Sequence, residues 1–136
     1  SQDSLHMLMT CEPQIKEIGD LISRTDVLLF GIGTAMRMAD QRHIADDVRK
    51  QLVDNHAVGE ALGQYCDIDG KLIYSTNNIG LSLPDVAKIP NVIAVAGGQD
   101  KSSAIIGVMR ACQKGILIID EQAAEGMRQL LQISAL

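Results

Sequence analysis

Aromatic residues are nearly absent: the 136-residue chain has no tryptophan, one phenylalanine and two tyrosines. A chain so poor in rings lacks the stacking platforms that hold single-stranded nucleic acid. Its core has to be aliphatic, drawn from the Ile, Leu, Val, Ala and Met that dominate an apolar content of 46%. An excess of positive charge is missing too. Twelve basic against seventeen acidic residues leave a net charge of −5, the wrong sign for a domain that grips duplex DNA by its phosphates. Cys11, Cys66 and Cys112 are odd in number and far apart, without a C-x-x-C. They read as reduced cytosolic thiols, not as a disulfide framework or a zinc set. His6, His43 and His56 have no metal-ligand spacing and read as surface or loop residues, so no metal and no other cofactor is expected. No apolar run approaches the roughly 18 residues that a membrane span needs, and the N-terminus lacks a signal-peptide layout. The expected location is the cytoplasm, with no membrane partner. The chain opens "SQDSLHMLMTCEP", without an initiator Met, which reads as a trimmed chain or the later part of a longer protein.

What is present suits one domain with a proper core, since a chain of this length buries about two-thirds of the surface it exposes when unfolded. "PQIKEIGDLISR" (13–24) sets Ile15, Ile18, Leu21 and Ile22 on one helical face. "DVLLF" (26–30) is a short buried strand ending in a turn, Gly31-Ile32-Gly33. A second short helix over 46–54 uses Val48, Leu52 and Val53. "GEALGQYCDIDGKLIYS" reads as two extended runs joined at Asp67-Ile68-Asp69-Gly70, a β-hairpin. Leu83-Pro84-Asp85 starts one or two helical turns that Pro90 stops. "NVIAVA" (91–96) is a strand. Residues 101–112 place Ala104, Ile105, Val108, Met109 and Cys112 on one helical face, with Asp100 as N-cap. "GILIID" (115–120) is a strand whose Asp120 caps a last helix carrying Ala124, Met127, Leu130 and Leu131. Apolar strands alternating with helices imply an α/β fold with a parallel sheet covered on both faces, and ligands in such sheets sit at strand carboxyl ends.

Two glycine segments occupy such ends. Gly97-Gly98-Gln99-Asp100-Lys101 joins a strand to a helix and adds a lysine where the helix dipole disfavours one, an arrangement suited to an anion. Spacing alone leaves an empty turn with a solvated lysine equally open. There is no G-x-x-x-x-G-K-[ST] loop, and Gly31-Ile32-Gly33 lacks the third glycine of a dinucleotide fingerprint. Glu60, between Gly59 and Gly63 in an otherwise apolar stretch, is either an acceptor for sugar hydroxyls, a general base, or an exposed acid on an edge strand. Arg37, Gln41 and Arg42 share a helical segment in which an arginine could meet a phosphate.

Taken together, "GIGTAMRMADQR", "AVGEALGQYCDIDG", "LSLPDVAKIPNVIAVAGGQDKSSAI" and "ILIIDEQAAEGM" resemble, in order and spacing, the effector-binding domains of SorC-type bacterial transcriptional regulators. The resemblance runs from about Glu12 to about Leu130. It implies a Rossmann-like parallel sheet covered by helices, similar to the sugar-phosphate isomerase and deaminase fold, with a small β-hairpin insertion. It further implies a sensor of a phosphorylated sugar such as fructose-1,6-bisphosphate, without catalysis. By position, Lys101 matches a phosphate-contacting lysine and Glu60 a sugar-hydroxyl carboxylate. Arg42 matches the arginine of a "MAxRR" stretch read here as "MADQR". Gly98 and Gly33 complete the implied ligand-binding set. Gln41 replaces the first arginine of that stretch, and Cys66 stands where an aromatic is usual. The resemblance also implies a homo-oligomer, dimer or tetramer, that meets DNA only through a helix-turn-helix domain outside this chain. Residues 1–136 would then be the C-terminal part of the effector domain, with its first half also outside. Two other readings remain open from the residues: an isomerase- or deaminase-like enzyme with Glu60 as base, and an oligomerisation module with structural glycine turns.

Overall fold

The computed structural model describes residues 3, 4, 7 and 11–132; His6 lies outside them. In chain order the elements are α1 (Pro13–Ser23), β1 (Val27–Gly31), β2 (Gly33–Thr34), α2 (Ala35–Gln41), α3 (Asp46–Asp54), β3 (Gly59–Ala61), β4 (Gln64–Cys66), β5 (Leu72–Ser75), a 3-10 helix (Pro84–Lys88), β6 (Asn91–Ala96), α4 (Ser102–Cys112) after a 3-10 turn (Gln99–Lys101), β7 (Ile116–Ile119) and α5 (Glu121–Leu130).

They form two sheets. The three apolar runs pair in parallel in the order β1-β6-β7, with Phe30 opposite Ala94 and Ala96 opposite Ile119. The second sheet is antiparallel, β2-β3-β4-β5, and is larger than the hairpin read from the sequence. The expected Asp67–Gly70 turn joins β4 to β5, with Gly70 at φ +85° and the Asp67 carboxylate accepting from the amides of Asp69 and Lys71. A tighter turn at Leu62-Gly63 splits the first extended run into β3 and β4. Both turn residues have positive φ, 54° and 79°, the mirror-image geometry that matches the twist of paired strands. Leucine is a poor residue for that region, which hides the turn from a propensity reading. Gly31-Ile32-Gly33 is also not a turn. Neither glycine has positive φ, and the chain simply leaves the parallel sheet at Gly31 and enters the antiparallel one at Gly33.

The two sheets meet across α4, seven of whose eleven residues are buried: Ser102, Ala104, Ile105, Ile106, Gly107, Val108 and Cys112. Its approach to the antiparallel sheet is backbone on backbone. A Cβ on Gly59 would lie 2.8 Å from the Ala104 carbonyl, and one on Gly107 would lie 2.4 Å from the Asp67 carbonyl. On its other side lie Phe30, Val92, Ala94 and Ala96 of the parallel sheet, in one aliphatic core with Ile105, Val108 and Cys112. A smaller core under α2 and α3 contains Ala35, Ala39, Leu52 and Tyr65. Cys66 and Cys112 are fully buried, and burial pushes their thiols up to about 12 and about 11, where they are inert at neutral pH.

Three further sequence expectations change. α4 has no side-chain cap from Asp100, because the 3-10 turn Gln99–Lys101 precedes it. α5 buries Ala123 and Gly126 with Met127 half-buried, while Ala124, Leu130 and Leu131 face outward. A Cβ on Gly126 would fall 2.1 Å from the Ser102 hydroxyl, so α5 seats by its smallest residues and its leucines turn away. The parallel sheet is covered on one face among the described residues. The other presents Val27, Leu29, Val95, Ile116 and Ile118, from 42% to 67% exposed, in strict alternation with the covered positions.

Tyr65 is fully buried against Tyr74 at 6.0 Å between ring centroids, and its hydroxyl has no hydrogen-bond partner among the described residues. Burial raises its phenol above the ordinary value, with the Glu60 charge adding to the effect. Tyr65→Phe removes a desolvated polar atom and leaves no partner unpaired. Its thermal midpoint is expected to match or exceed that of the parent chain, and a fall of several degrees would show that the hydroxyl is bonded in solution.

Candidate functional site

The carboxyl ends of β1 and β6 open onto a hollow of about 360 Å³ lined by Phe30, Gly31, Ile32, Gly33, Met38, Arg42, Glu60, Leu62, Val95 and Lys101. Four of the five sequence candidates, Arg42, Glu60, Lys101 and Gly33, therefore share one space. They come from four separate pieces of chain.

Glu60 is placed by β3 and is 3% exposed. Its Oε1 accepts the amide of Gly63 at 2.7 Å and meets the Arg42 guanidinium at 3.0 Å. Oε2 has no partner among the described residues. The first bond holds the Leu62-Gly63 turn closed, helped by Thr76, whose hydroxyl donates to the Gly63 carbonyl, and Asn78, whose amide donates to that of Leu62. The buried charge is thus both neutralised and hydrogen-bonded, as burial requires.

Arg42 follows the last residue of α2. That helix ends in a left-handed His43 (φ 50°), whose amide bonds the Asp40 carbonyl while the Ile44 amide bonds that of Ala39. This closure turns the chain at Arg42 and aims its guanidinium at Glu60. His56 closes α3 in the same way with φ 56°. Both histidines are exposed loop residues, as the sequence suggests. Gly33 serves packing in the same region: a Cβ there would fall 2.4 Å from Met38, which α2 places over the sheet crossing.

Lys101 is half-buried, ends the 3-10 turn and forms no ion pair among the described residues. With Arg42 committed to Glu60, its ammonium is the uncompensated charge of the hollow. Gly98 has φ +95°, as a glycine turn implies, but it does not line the hollow. Its amide donates to both carboxylate oxygens of Asp120, at 3.1 and 2.9 Å. The same carboxylate caps α5 by accepting from Ala123 at 2.8 Å. These bonds, the Ala123 amide first and Gly98 second, hold the Asp120 carboxyl below its ordinary value. The folded state therefore favours the ionised form, and the stability this adds is present at neutral pH and lost as pH falls through the carboxylate range. The Asp120 link was invisible in the sequence because it joins residues 22 apart.

An apolar floor, a buried carboxylate with one open oxygen, and an unpaired lysine can together take a ligand that carries hydroxyl groups and an anionic group. Among the described residues no helix is long and apolar enough to cross a membrane.

The chain is similar to known proteins along most of its length. The Sugar-bind family model, a sugar-binding domain, matches residues 1–129. The central glycolytic genes regulator of Bacillus subtilis is 38% identical over 114 residues, which are 84% of this chain and 34% of that protein. Its counterpart in Priestia megaterium is 37% identical over 123 residues, 90% of this chain and 36% of that protein. A solved SorC family transcriptional regulator from Enterococcus faecalis superposes with a TM-score of 0.81 at 38% identity, covering 93% of this chain and 50% of that one. The chain thus spans about a third of the length of these curated relatives and half of the solved structure. From the family match and the shared fold, the chain belongs to the sugar-binding domains of SorC-type transcriptional regulators.

Proposed function

We propose that the chain senses a phosphorylated sugar, with fructose-1,6-bisphosphate the first compound to try. Its residues would form the C-terminal part of an effector domain, and DNA would be bound by a part of the protein outside this chain. The observation that carries the reading is the convergence of Lys101, Arg42 and the buried Glu60 on one hollow at the strand carboxyl ends. Lys101 would face a phosphate, the open oxygen of Glu60 would accept a sugar hydroxyl, and Arg42 would fix the Glu60 side chain through their 3.0 Å contact while adding positive potential. Glu60 is tied to Arg42 and Gly63, which suits a fixed acceptor better than a proton-transferring base. Binding would act as a switch by favouring one subunit arrangement of a homo-oligomer over another.

Calorimetric titration of the full-length protein with fructose-1,6-bisphosphate is expected to show saturable binding. Lys101→Ala should weaken it by about 10- to 100-fold, the worth of one charge-assisted contact. Unchanged affinity in that variant removes the phosphate role, and turnover of a sugar phosphate that Glu60→Gln abolishes would make the protein an enzyme.

A further inference from the structure

We propose that Asp120 is the positioning residue for Lys101, a role that rests on the phosphosugar reading above. The glycine pair after β6 looks in sequence like a cradle for an external phosphate, yet it is fitted to an internal carboxylate. The Gly98 amide gives its hydrogen to Asp120. A Cβ on Gly97 would come within 2.8 Å of the Asp120 Oδ2, so Gly97 leaves the room that the carboxylate fills. From Gly98 the chain makes one tight turn, in which the Lys101 amide donates to the Gly98 carbonyl at 3.2 Å. The far end of that turn is pinned as well, because the single hydrogen of the Ser102 hydroxyl is shared between the carbonyls of Gln99 at 2.7 Å and Ala123 at 3.3 Å. Both pins land on the first turn of α5. Lys101 therefore extends into the hollow from a turn fixed at each end to another helix, and Asp120 supplies the fixing at the glycine end. A flexible lysine on a pinned turn has a smaller volume to search, so less ordering is needed when an anion binds.

Charge and position predict opposite signs here, which makes the role testable. Asp120 carries a negative charge beside a proposed anion site. If it acted only through its field, Asp120→Asn would tighten binding. If it positions Lys101, Asp120→Asn weakens it. The asparagine oxygen, in the place of Oδ1, can still cap α5 through Ala123 and keep the longer 3.1 Å contact to Gly98, while its NH₂ replaces the nearer Oδ2 and meets the Gly98 N–H donor against donor.

The experiment measures fructose-1,6-bisphosphate affinity of the full-length protein by calorimetry, in the parent, Asp120→Asn, Lys101→Ala and the double variant, with thermal midpoints as a check of folding. Asp120→Asn is expected to weaken binding by about tenfold alone and by less than about twofold in the Lys101→Ala background, the non-additivity of residues acting through one contact. Gly97→Ala provides a second route should Asp120→Asn fold poorly. It pushes the carboxylate off Gly98 without removing its charge, and the same weakening is expected. If the parent binds and Lys101→Ala weakens it, but Asp120→Asn and Gly97→Ala bind as well as the parent or better, the positioning role is overturned and the phosphosugar reading stands. Equal losses from Asp120→Asn with and without Lys101 would also overturn it, since Asp120 would then act elsewhere. A parent that does not bind, or a Lys101→Ala variant that binds as the parent does, overturns both.

Discussion

Glu60→Ala should destabilise the chain by about 3 kcal/mol and uncouple sugar recognition from phosphate recognition. The stability loss has two sources. The Gly63 amide, bonded to Glu60 in a buried setting, loses its acceptor, and the Leu62-Gly63 turn loses what offsets a leucine at φ 54°, a conformation costing roughly 1 kcal/mol. Arg42 loses its ion-pair partner, but at 38% exposure it can rehydrate, which keeps the total below that of a fully buried pair. In binding, the hollow would lose its hydroxyl acceptor and gain an unneutralised guanidinium. Inorganic phosphate should therefore bind the variant as well as or better than the parent, while a sugar phosphate binds worse. Glu60→Gln is the informative control: its carbonyl can still accept from Gly63, so its stability should lie between the two. Denaturant titration and calorimetry with both ligands check each half. A cost below about 1 kcal/mol in Glu60→Ala would mean that the carboxylate does not hold the turn.

Gly107→Ala should destabilise by about 2–3 kcal/mol, against what helix propensity predicts. In the middle of α4, alanine in place of glycine gains about 1 kcal/mol of intrinsic preference. Here the added methyl would lie 2.4 Å from the Asp67 carbonyl and 2.9 Å from Val58 Cγ2. The carbonyl cannot swing aside cheaply, because it accepts the Gly70 amide in a hairpin turn that the Asp67 side chain also braces. α4 would have to move off the antiparallel sheet while the parallel sheet holds its other side, and overpacking of that kind outweighs the propensity gain. A thermal midpoint lowered by roughly 10 °C is the expected reading. An unchanged or raised midpoint would show that the helix has room to shift.

The elements that the sequence discloses most clearly are those whose physics is local or repetitive. β1, β6 and β7 are apolar runs, α4 has an unbroken apolar face, and the Asp67–Gly70 turn uses residues that make such turns. What stays hidden depends on partners distant in the chain. Nothing around Leu62 announces a left-handed residue, because beside the local bond from Glu60 the turn is held by Thr76 and Asn78, far along the chain. The inward face of α5 is misread because its leucines are outside and its glycine inside, a choice made by Ser102 on α4. In the site, Glu60 stands out as an acid among apolar residues and Lys101 as a base at a helix start. Arg42 is indistinguishable from Arg37 by spacing; the likeness to the "MAxRR" stretch singles it out, and the left-handed closure at His43 gives the physical reason that it meets Glu60. The glycine pair is legible as a special turn, while its occupant, Asp120, is not.

The burial of α4 on both sides has a dynamic meaning. A helix wedged between two sheets can open to solvent only when one sheet comes away, so its amides should belong to the last cooperative unit to unfold. Lys101 immediately precedes it. The lysine proposed to face the ligand is thus attached to what should be the slowest-opening part of the chain. Under the proposed function, the message of a bound ligand should then be carried by displacement of a rigid body more than by local ordering.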